Sequence, residues 1–251
     1  MLSVERRKRI LGLAEENSAL EVLKTARLLG VTGATIRRDL NRLAKEGLLL
    51  RTHGGAVLRR EPTPELSLRE IPYLAEKKRI AIAAANLIKE GDIIGLDSGS
   101  TTYELAKVIK GKQNITVVTN ALNIAYELAH CRGITVNLTG GTADKSFYFL
   151  SGPLAEVTID KVFVNKVFLG TSGLDIEKGF TDPYLYAAQI KQAMIKSAKE
   201  VIIITDSSKI GKIHFAAVSS ITSIHKIITD SNISQEDLRA FREKGIEVIL
   251  C

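Results

Sequence analysis

Residues 30–45 read GVTGATIRRDLNRLAK, and this stretch decides the fold of the first quarter of the chain. Gly30 suits the left-handed position that ends a helix. Thr32 is placed to cap the next one. Ile36, Leu40 and Leu43 recur at i, i+4 and i+7, which is the buried stripe of an amphipathic helix that stops at Gly47. At 100° per residue the same helix turns Ala34, Thr35, Arg38, Asn41 and Lys45 outward and leaves Arg37 at the margin of the apolar face. Upstream, the pattern predicts a helix capped by Ser3 with Ile10, Leu11 and Ala14 facing inward, then a second helix from about Leu20 to Leu29. Two helices joined by the tight turn at 30–32 fit a helix-turn-helix. Downstream, Leu48–Thr52 and Ala56–Leu58 read as two short strands joined at His53-Gly54-Gly55, a hairpin.

The chemistry of the third helix suits DNA. A major groove admits one α-helix, and there Arg reads guanine and Asn reads adenine. Thr32, Ala34, Thr35, Arg37, Arg38, Asn41 and Lys45 are therefore the candidate DNA contacts of this helix, with Arg37 better placed for a phosphate. Arg51 and His53, near the hairpin tip, are the candidates of a wing lying on the phosphate backbone or in the minor groove.

Charge points the same way once it is located. The 251 residues carry a formal charge of +7. Residues 1–60 hold 13 Lys and Arg against 6 Asp and Glu, whereas residues 61–251 hold 22 of each sign. The whole excess sits on the first unit, the electrostatic footprint of a polyanion-binding module. With 45% hydrophobic and 25% charged residues the chain can build a core, which excludes a disordered protein. No apolar run approaches the roughly 18 residues of a membrane span. The charged start at residues 1–9 carries no secretory pattern. Cys131 and Cys251 form neither a disulfide framework nor a metal pattern. The expected compartment is the cytosol, with no cofactor and no metal.

Pro62, Pro64 and Pro72, three of only five prolines, mark a linker. The expected organisation is a DNA-binding domain at 1–58, a linker at 59–74 and an α/β domain at 75–251. Beyond Lys77, helical and strand patterns alternate. Helices are expected around Ile80–Ile88, Leu105–Ile109, Ala121–Ala129, Ala187–Ala198 and Ser234–Lys244. Strands are expected at Ile93–Leu96, Ile115–Thr119, Ile134–Leu138, Val162–Leu169, Val201–Thr205, Ile224–Thr229 and Glu247–Leu250. Such alternation predicts a largely parallel sheet covered by helices.

In such sheets the ligand lies beyond the carboxyl ends of the strands, where small polar residues concentrate here. Asp97-Ser98-Gly99-Ser100-Thr101-Thr102 follows one strand and opens a helix, whose free N–H groups and dipole suit a phosphate. Thr119-Asn120, Thr139-Gly140-Gly141-Thr142, Gly170-Thr171-Ser172-Gly173 and Asp206-Ser207-Ser208-Lys209 follow four others. The ligand they suit is small, polar and phosphorylated. Lys209 supplies a point charge to phosphate. Asp97 or Asp206 accepts from sugar hydroxyls, or Asp206 only caps its loop. His130, His214 and His225 show no ligand spacing and read as surface or structural, although His214 lies near the Lys209 loop.

Thr35-Ile36-Arg37-Arg38-Asp39-Leu40, Glu46-Gly47-Leu48 and Arg51-Thr52-His53-Gly54-Gly55-Ala56 resemble the winged helix of DeoR-type bacterial transcription regulators. Asp97–Thr102, Thr119-Asn120, Gly140-Gly141, Ser151-Gly152-Pro153 and Asp206–Lys209 resemble the sensor domain of the same family, so the likeness runs in order over nearly the whole chain. It implies a winged helix that binds operator DNA, joined to a sensor domain related to ribose-5-phosphate isomerases and CoA transferases. It implies a phosphorylated sugar or sugar-alcohol effector, repression of catabolic or uptake operons, and a homo-oligomer. The chain departs from the family at Tyr186, Ala187 and Gln189, where acidic residues are common, while the following Lys191 is retained and joins the implied effector contacts. In the second helix Thr25 and Leu23 exchange the usual apolar and polar positions. The alternative reading is a sugar-phosphate isomerase or CoA-transferase-like enzyme with an appended DNA-binding domain, its base drawn from Asp97 or Asp206. An activator or an architectural DNA binder is a third reading, and sequence does not set the sign of regulation.

Overall fold

The computed structural model describes residues 3–17, 19–45, 48–52, 54–58, 71–144 and 148–251. It divides into two compact units, Met1–Glu65 and Leu66–Cys251. Most of the expected linker, residues 59–70 with Pro62 and Pro64, lies outside the described residues, as do Glu46, Gly47 and His53.

The first unit contains α1 (Ser3–Asn17), β1 (Ala19–Glu21), α2 (Val22–Leu29), α3 (Gly33–Lys45), β2 (Leu49–Thr52) and β3 (Gly55–Leu58). Gly30 takes φ 64° and closes α2, as the turn between the two helices requires. Ile36, Leu40 and Leu43 are buried with Ile10, Ala14, Leu20, Val22, Ala26, Leu49 and Ala56 in one core. The expected second helix starts late: Ala19–Glu21 instead forms an edge strand antiparallel to β3. Its backbone groups find partners on β3, and the helix starts only at Val22, so the hairpin becomes a three-stranded sheet ordered β1-β3-β2. The exchange noted in α2 is resolved by burial, since Thr25 is buried and Leu23 exposed.

The second unit is built on a seven-stranded sheet whose pairings are all parallel. Its strands are β4 (Ile93–Leu96), β5 (Ile115–Thr119), β6 (Ile134–Leu138), β9 (Val164–Leu169), β12 (Ala198–Ile204), β14 (Lys226–Thr229) and β15 (Glu247–Leu250), ordered β15-β14-β12-β9-β4-β5-β6. Helix α4 (Leu74–Asn86) leads into β4, and α5 (Ser100–Val108), α6 (Leu122–Leu128), α7 (Pro153–Asp160), α8 (Leu185–Lys196) and α9 (Gln235–Glu243) lie in the connections between strands. Two hydrophobic clusters form, one centred on Ile80, Leu96, Leu105 and Phe168, the other on Val167, Phe180, Ile203 and Phe241. Val167 and Phe168, neighbours on β9, point to opposite faces, as strand alternation dictates. The sheet is therefore covered on both sides.

Five strands of this unit lie outside the expected set. β10 (Gly173–Asp175), β11 (Gly179–Asp182) and β13 (Ala216–Ser219) form a separate antiparallel sheet. A two-residue pair, β7 (Thr142–Ala143) with β8 (Leu150–Ser151), forms a further hairpin. No helix among the described residues is long and apolar enough to cross a membrane.

Candidate functional site

In the first unit, α3 carries the candidate DNA contacts. Thr32 caps it: its hydroxyl accepts from the Thr35 N–H at 3.3 Å and lies 3.0 Å from the Thr35 hydroxyl. Ala34, Arg37, Arg38, Asn41 and Lys45 are exposed or half-exposed, as is Thr35. At 100° per residue, Ala34, Arg38, Asn41 and Lys45 share a stripe about 60° wide, with Arg37 beside it. Arg51 is exposed, but its guanidinium donates to the Gly55 carbonyl within its own hairpin. Sequence reasoning missed the fixing of α3 on its inner side. Asp39, buried on that helix, accepts from the Arg6 Nε of α1 at 2.6 Å. The partners stand 33 residues apart, so nothing local signals the pair.

In the second unit the strand order places the site. Successive strands β4, β5 and β6 run one way from the centre, then β9, β12, β14 and β15 run the other way, so the order reverses between β4 and β9. A crevice opens at the carboxyl ends of the strands at such a reversal. Here Gly99 and Gly170 meet: a Cβ on Gly99 would lie 3.4 Å from the Gly170 Cα and 3.2 Å from both Asp97 Oδ1 and Thr102 Oγ1. A side chain at Gly99 is therefore tight against the loop that follows β9.

Asp97 is buried, and its Oδ1 accepts from the Gly99 N–H at 3.0 Å and the Thr102 hydroxyl at 2.9 Å. These bonds shape the loop that starts α5. Gly99, at the N-cap, supplies no side-chain cap, so the start of α5 keeps amide donors for an anion. Ser98 and Ser100 are half-exposed there, while Thr101 and Thr102 are buried. Asp97 Oδ2 has no hydrogen-bond partner and faces Lys191 Nζ at 3.5 Å. Lys191 donates to Asp182 Oδ2 at 2.8 Å and to the Gly170 carbonyl at 3.0 Å. Burial opposes its charge, but the carboxylates of Asp97 and Asp182 outweigh burial and raise its pKa. Lys191 is thus a cation shared by two buried carboxylates.

The neighbouring strand ends add polar groups in order across the sheet. After β5, the Thr119 hydroxyl accepts from the Ala121 N–H at 3.1 Å, and Asn120 donates to the Leu150 carbonyl at 3.0 Å. Asn120 Oδ1 is buried without a partner. After β6, Thr139 Oγ1 is likewise buried and unpartnered, and Gly140 and Gly141 are exposed. After β9, Thr171 bonds the backbone of Gly173, and the Ser172 carbonyl lies 3.0 Å from His214 Nε2. After β12, Asp206 is buried and bonded to the Ser208 hydroxyl, the loop-capping role. Lys209 ends the short helical turn Ser207–Lys209 and is half-buried.

Three residues of this region carry roles that sequence reasoning missed. Asp182, at the end of β11, holds Lys191. Asp230, directly after β14, accepts from the Ser207 N–H at 2.7 Å and its hydroxyl at 2.9 Å. Burial pushes the Asp230 pKa up, but the bonds from Ser207 and Asn232 prevail and lower it. Lys77, buried on α4, donates to the Pro72 carbonyl at 2.7 Å and lies 3.7 Å from Asp206 Oδ2. Burial lowers the Lys77 pKa, against the attraction of Asp206 and with repulsion from Lys209. Asp230 follows an apolar strand just as Asp97 and Asp206 do, so its signal was readable. His225 is structural, its Nδ1 accepting from the Val201 N–H at 3.1 Å, and His130 is exposed.

At the start of α8, Tyr186 stacks with Phe149 (centroids 5.8 Å, planes 25° apart) and with Tyr184 (5.6 Å, 16°). Ala187 and Gln189 in the same helix carry no charge.

Two family models match. The DeoR-like helix-turn-helix domain matches residues 6–61, and the DeoR C terminal sensor domain matches residues 73–231. The chain is 36% identical to the uncharacterized HTH-type transcriptional regulator YulB of Bacillus subtilis, over 99% of this chain and 96% of that one. It is 32% identical to a putative aga operon transcriptional repressor of Escherichia coli O157:H7, over 98% and 93%. Among solved structures, the ribose 5-phosphate isomerase A of Methanocaldococcus jannaschii aligns at a TM-score of 0.41 and 16% identity, over 53% of each chain.

Proposed function

Because the chain belongs to the DeoR family of helix-turn-helix transcriptional regulators, we propose that it represses a sugar or sugar-alcohol operon and leaves its operator when a phosphorylated sugar or sugar alcohol binds at the strand ends of the second unit. It is a DNA-binding regulator and not an enzyme, since it carries a DeoR-like helix-turn-helix domain and relatives matched over more than nine-tenths of their length are named transcriptional regulators or repressors. The buried carboxylates fit that role: Asp97 and Asp206 are engaged in shaping their loops.

The observation that carries the effector reading is the meeting of Gly99 and Gly170 at the strand-order reversal, under an uncapped helix start and beside the buried, partnerless Asn120 Oδ1. Amides of α5 and the ammonium of Lys209 take the phosphate. Asn120 Oδ1 accepts from a hydroxyl, which offsets the cost of burying it. Ser98, Ser100, Thr119, Gly140, Gly141, Thr171 and Ser172 complete the lining.

On DNA, α3 lies in the major groove, with Arg38 and Asn41 on base edges and Arg37 on phosphate. The functional division is a winged helix at 1–58, a connecting segment at 59–74 and a sensing domain at 75–251. The protein acts in the cytosol as a homo-oligomer, whose paired recognition helices match two half-sites. Operator affinity measured against salt and against a panel of sugar phosphates tests the whole reading. We expect affinity to fall steeply with salt and at least one phosphorylated sugar to lower it. A salt-independent affinity removes the DNA model. A panel without effect, inorganic phosphate included, removes the effector model.

A further inference from the structure

We propose that Lys77 is a positioning residue that couples the strand-end site to the chain arriving from the DNA-binding unit, its one buried ammonium holding both the Asp206 loop and the Pro72 carbonyl. The proposal rests on the strand ends being the effector site.

Lys77 stands one turn into α4. Its Nζ donates to the Pro72 carbonyl at 2.7 Å, and its backbone N–H donates to the Tyr73 carbonyl at 3.0 Å. One residue thus pins two successive carbonyls. They lie where the chain passes from one matched segment to the other, since the helix-turn-helix match ends at residue 61 and the sensor match begins at 73. The same Nζ stands 3.7 Å from Asp206 Oδ2. Asp206 bonds the Ser208 hydroxyl through its other carboxylate oxygen, and its carbonyl accepts from the Lys209 N–H at 3.2 Å. The position of Asp206 therefore sets the turn that carries Lys209, the cation assigned to the phosphate.

The backbone that Lys77 pins has a second state close by. Tyr73 takes φ 59° and ψ 36°, the left-handed conformation, which is costly for a bulky residue. Its side chain makes no capping bond to α4. The conformation is held by its neighbours, and Lys77 bonds the carbonyl on each side of the Tyr73 φ and ψ pair. With the Pro72 carbonyl released, Tyr73 returns to the extended region and sends the preceding chain in a new direction. A residue with two discrete backbone states is an element that a distant ligand can bias.

Charge decides which partner the ammonium favours. Burial lowers the Lys77 pKa, Asp206 and Glu104 act against that, and Lys209 adds to it by repulsion. A phosphate bound at Lys209 cancels that repulsion and brings negative charge of its own. The ammonium is then drawn toward the strand ends, whereas the Pro72 carbonyl is a neutral acceptor and the weaker partner. Effector binding thereby loosens the hold of Lys77 on Pro72, the direction that release from an operator requires.

The test uses the full-length protein, a duplex that it selects from a random-sequence pool, and a panel of hexose, pentose and alditol phosphates with inorganic phosphate as control. Calorimetry gives the affinity for each compound, and fluorescence anisotropy gives duplex affinity with and without it. For the compound with the largest effect, we expect duplex affinity of the parent to fall by a factor of about 5 to 150. Lys77→Met should bind that compound within about threefold of the parent, yet change its duplex affinity by less than about twofold. Tyr73→Gly alters an exposed residue and removes the cost of the left-handed state. It should keep the circular dichroism and compound affinity of the parent and weaken the response at least about threefold. The proposal is overturned if Lys77→Met responds as the parent does, or if it loses compound affinity as steeply as response, since Lys77 then belongs to the site itself. It is overturned equally if Tyr73→Gly responds in full, and that variant decides alone where Lys77→Met fails to fold. A parent that binds no compound removes the effector site and the coupling with it, a failure told apart because it appears before any substitution.

Discussion

On α3 of the first unit, Arg37, Arg38, Asn41 and Lys45 stand in water above a core of Ile36, Leu40 and Leu43. At the strand ends of the second unit, Asp97, Asp182, Asp206, Asp230, Lys77 and Lys191 are all buried, and each is bonded or paired with a neighbour. Polar and charged side chains thus do opposite work in the two units. Exposed charges remain free for a partner that brings many charges of its own, and salt screens them. Buried charges fix loop geometry, gain little from screening, and are costly to leave single. The excess of seven positive charges sits where charge is exposed, and the balanced 22 of each sign accompany a unit that hides charge in pairs.

The sharpest way to break this contrast is Lys191→Met. It leaves Asp97 and Asp182 buried around one missing cation, and we expect a loss of about 3–5 kcal/mol of stability in urea unfolding. A loss below about 1 kcal/mol would place the pair with ordinary surface ion pairs. Next in size is Arg38→Ala. It should weaken operator binding by about 1–3 kcal/mol and relax specificity at one base position, with the urea midpoint unchanged. A parallel drop in stability would give Arg38 a structural part and blur the division.

A smaller effect is expected from Asp230→Asn, and pH gives it a sign. The native pKa of Asp230 is held below its ordinary 3.8. Its contribution to stability is therefore present above about that value and is lost as pH falls through the native pKa. The variant should be less stable than the parent at pH 7, and the gap should close under strongly acidic conditions. A gap that persists there would assign the effect to lost shape and not to charge. The smallest change should follow Lys24→Gln, which removes the exposed pair with Glu21 at 2.7 Å and costs between about 0 and 1 kcal/mol in the same unfolding measurement.

Much of the molecule is legible in the sequence because it is periodic or punctuated. The stripe of Ile36, Leu40 and Leu43 sets the face of α3. Small polar clusters that follow five apolar runs mark the strand-end loops. The features that escape a sequence reading are short or distant. Ala19–Glu21 is too brief to alternate visibly and becomes a strand only because β3 lies beside it. β10 and β11, of three and four residues with a Gly at each start, give no period to read. Asp39 with Arg6, Lys77 with Asp206 and Asp182 with Lys191 are paired by tertiary packing, and spacing along the chain carries no trace of such pairs.

The contact between Gly99 and Gly170 also governs how this sequence can change over generations. A Cβ at Gly99 would stand 3.2 Å from Asp97 Oδ1 and Thr102 Oγ1, atoms hydrogen-bonded to each other, and 3.4 Å from the Cα of Gly170, so its neighbours would have to give by a few tenths of an ångström. No single replacement at that position avoids all three. Descendants of this gene can vary exposed positions of the strand-end loops, such as Gly140 and Thr142, one codon at a time. A side chain at Gly99 demands that its neighbours give way, so diversity should collect at the exposed positions before it reaches this crossing.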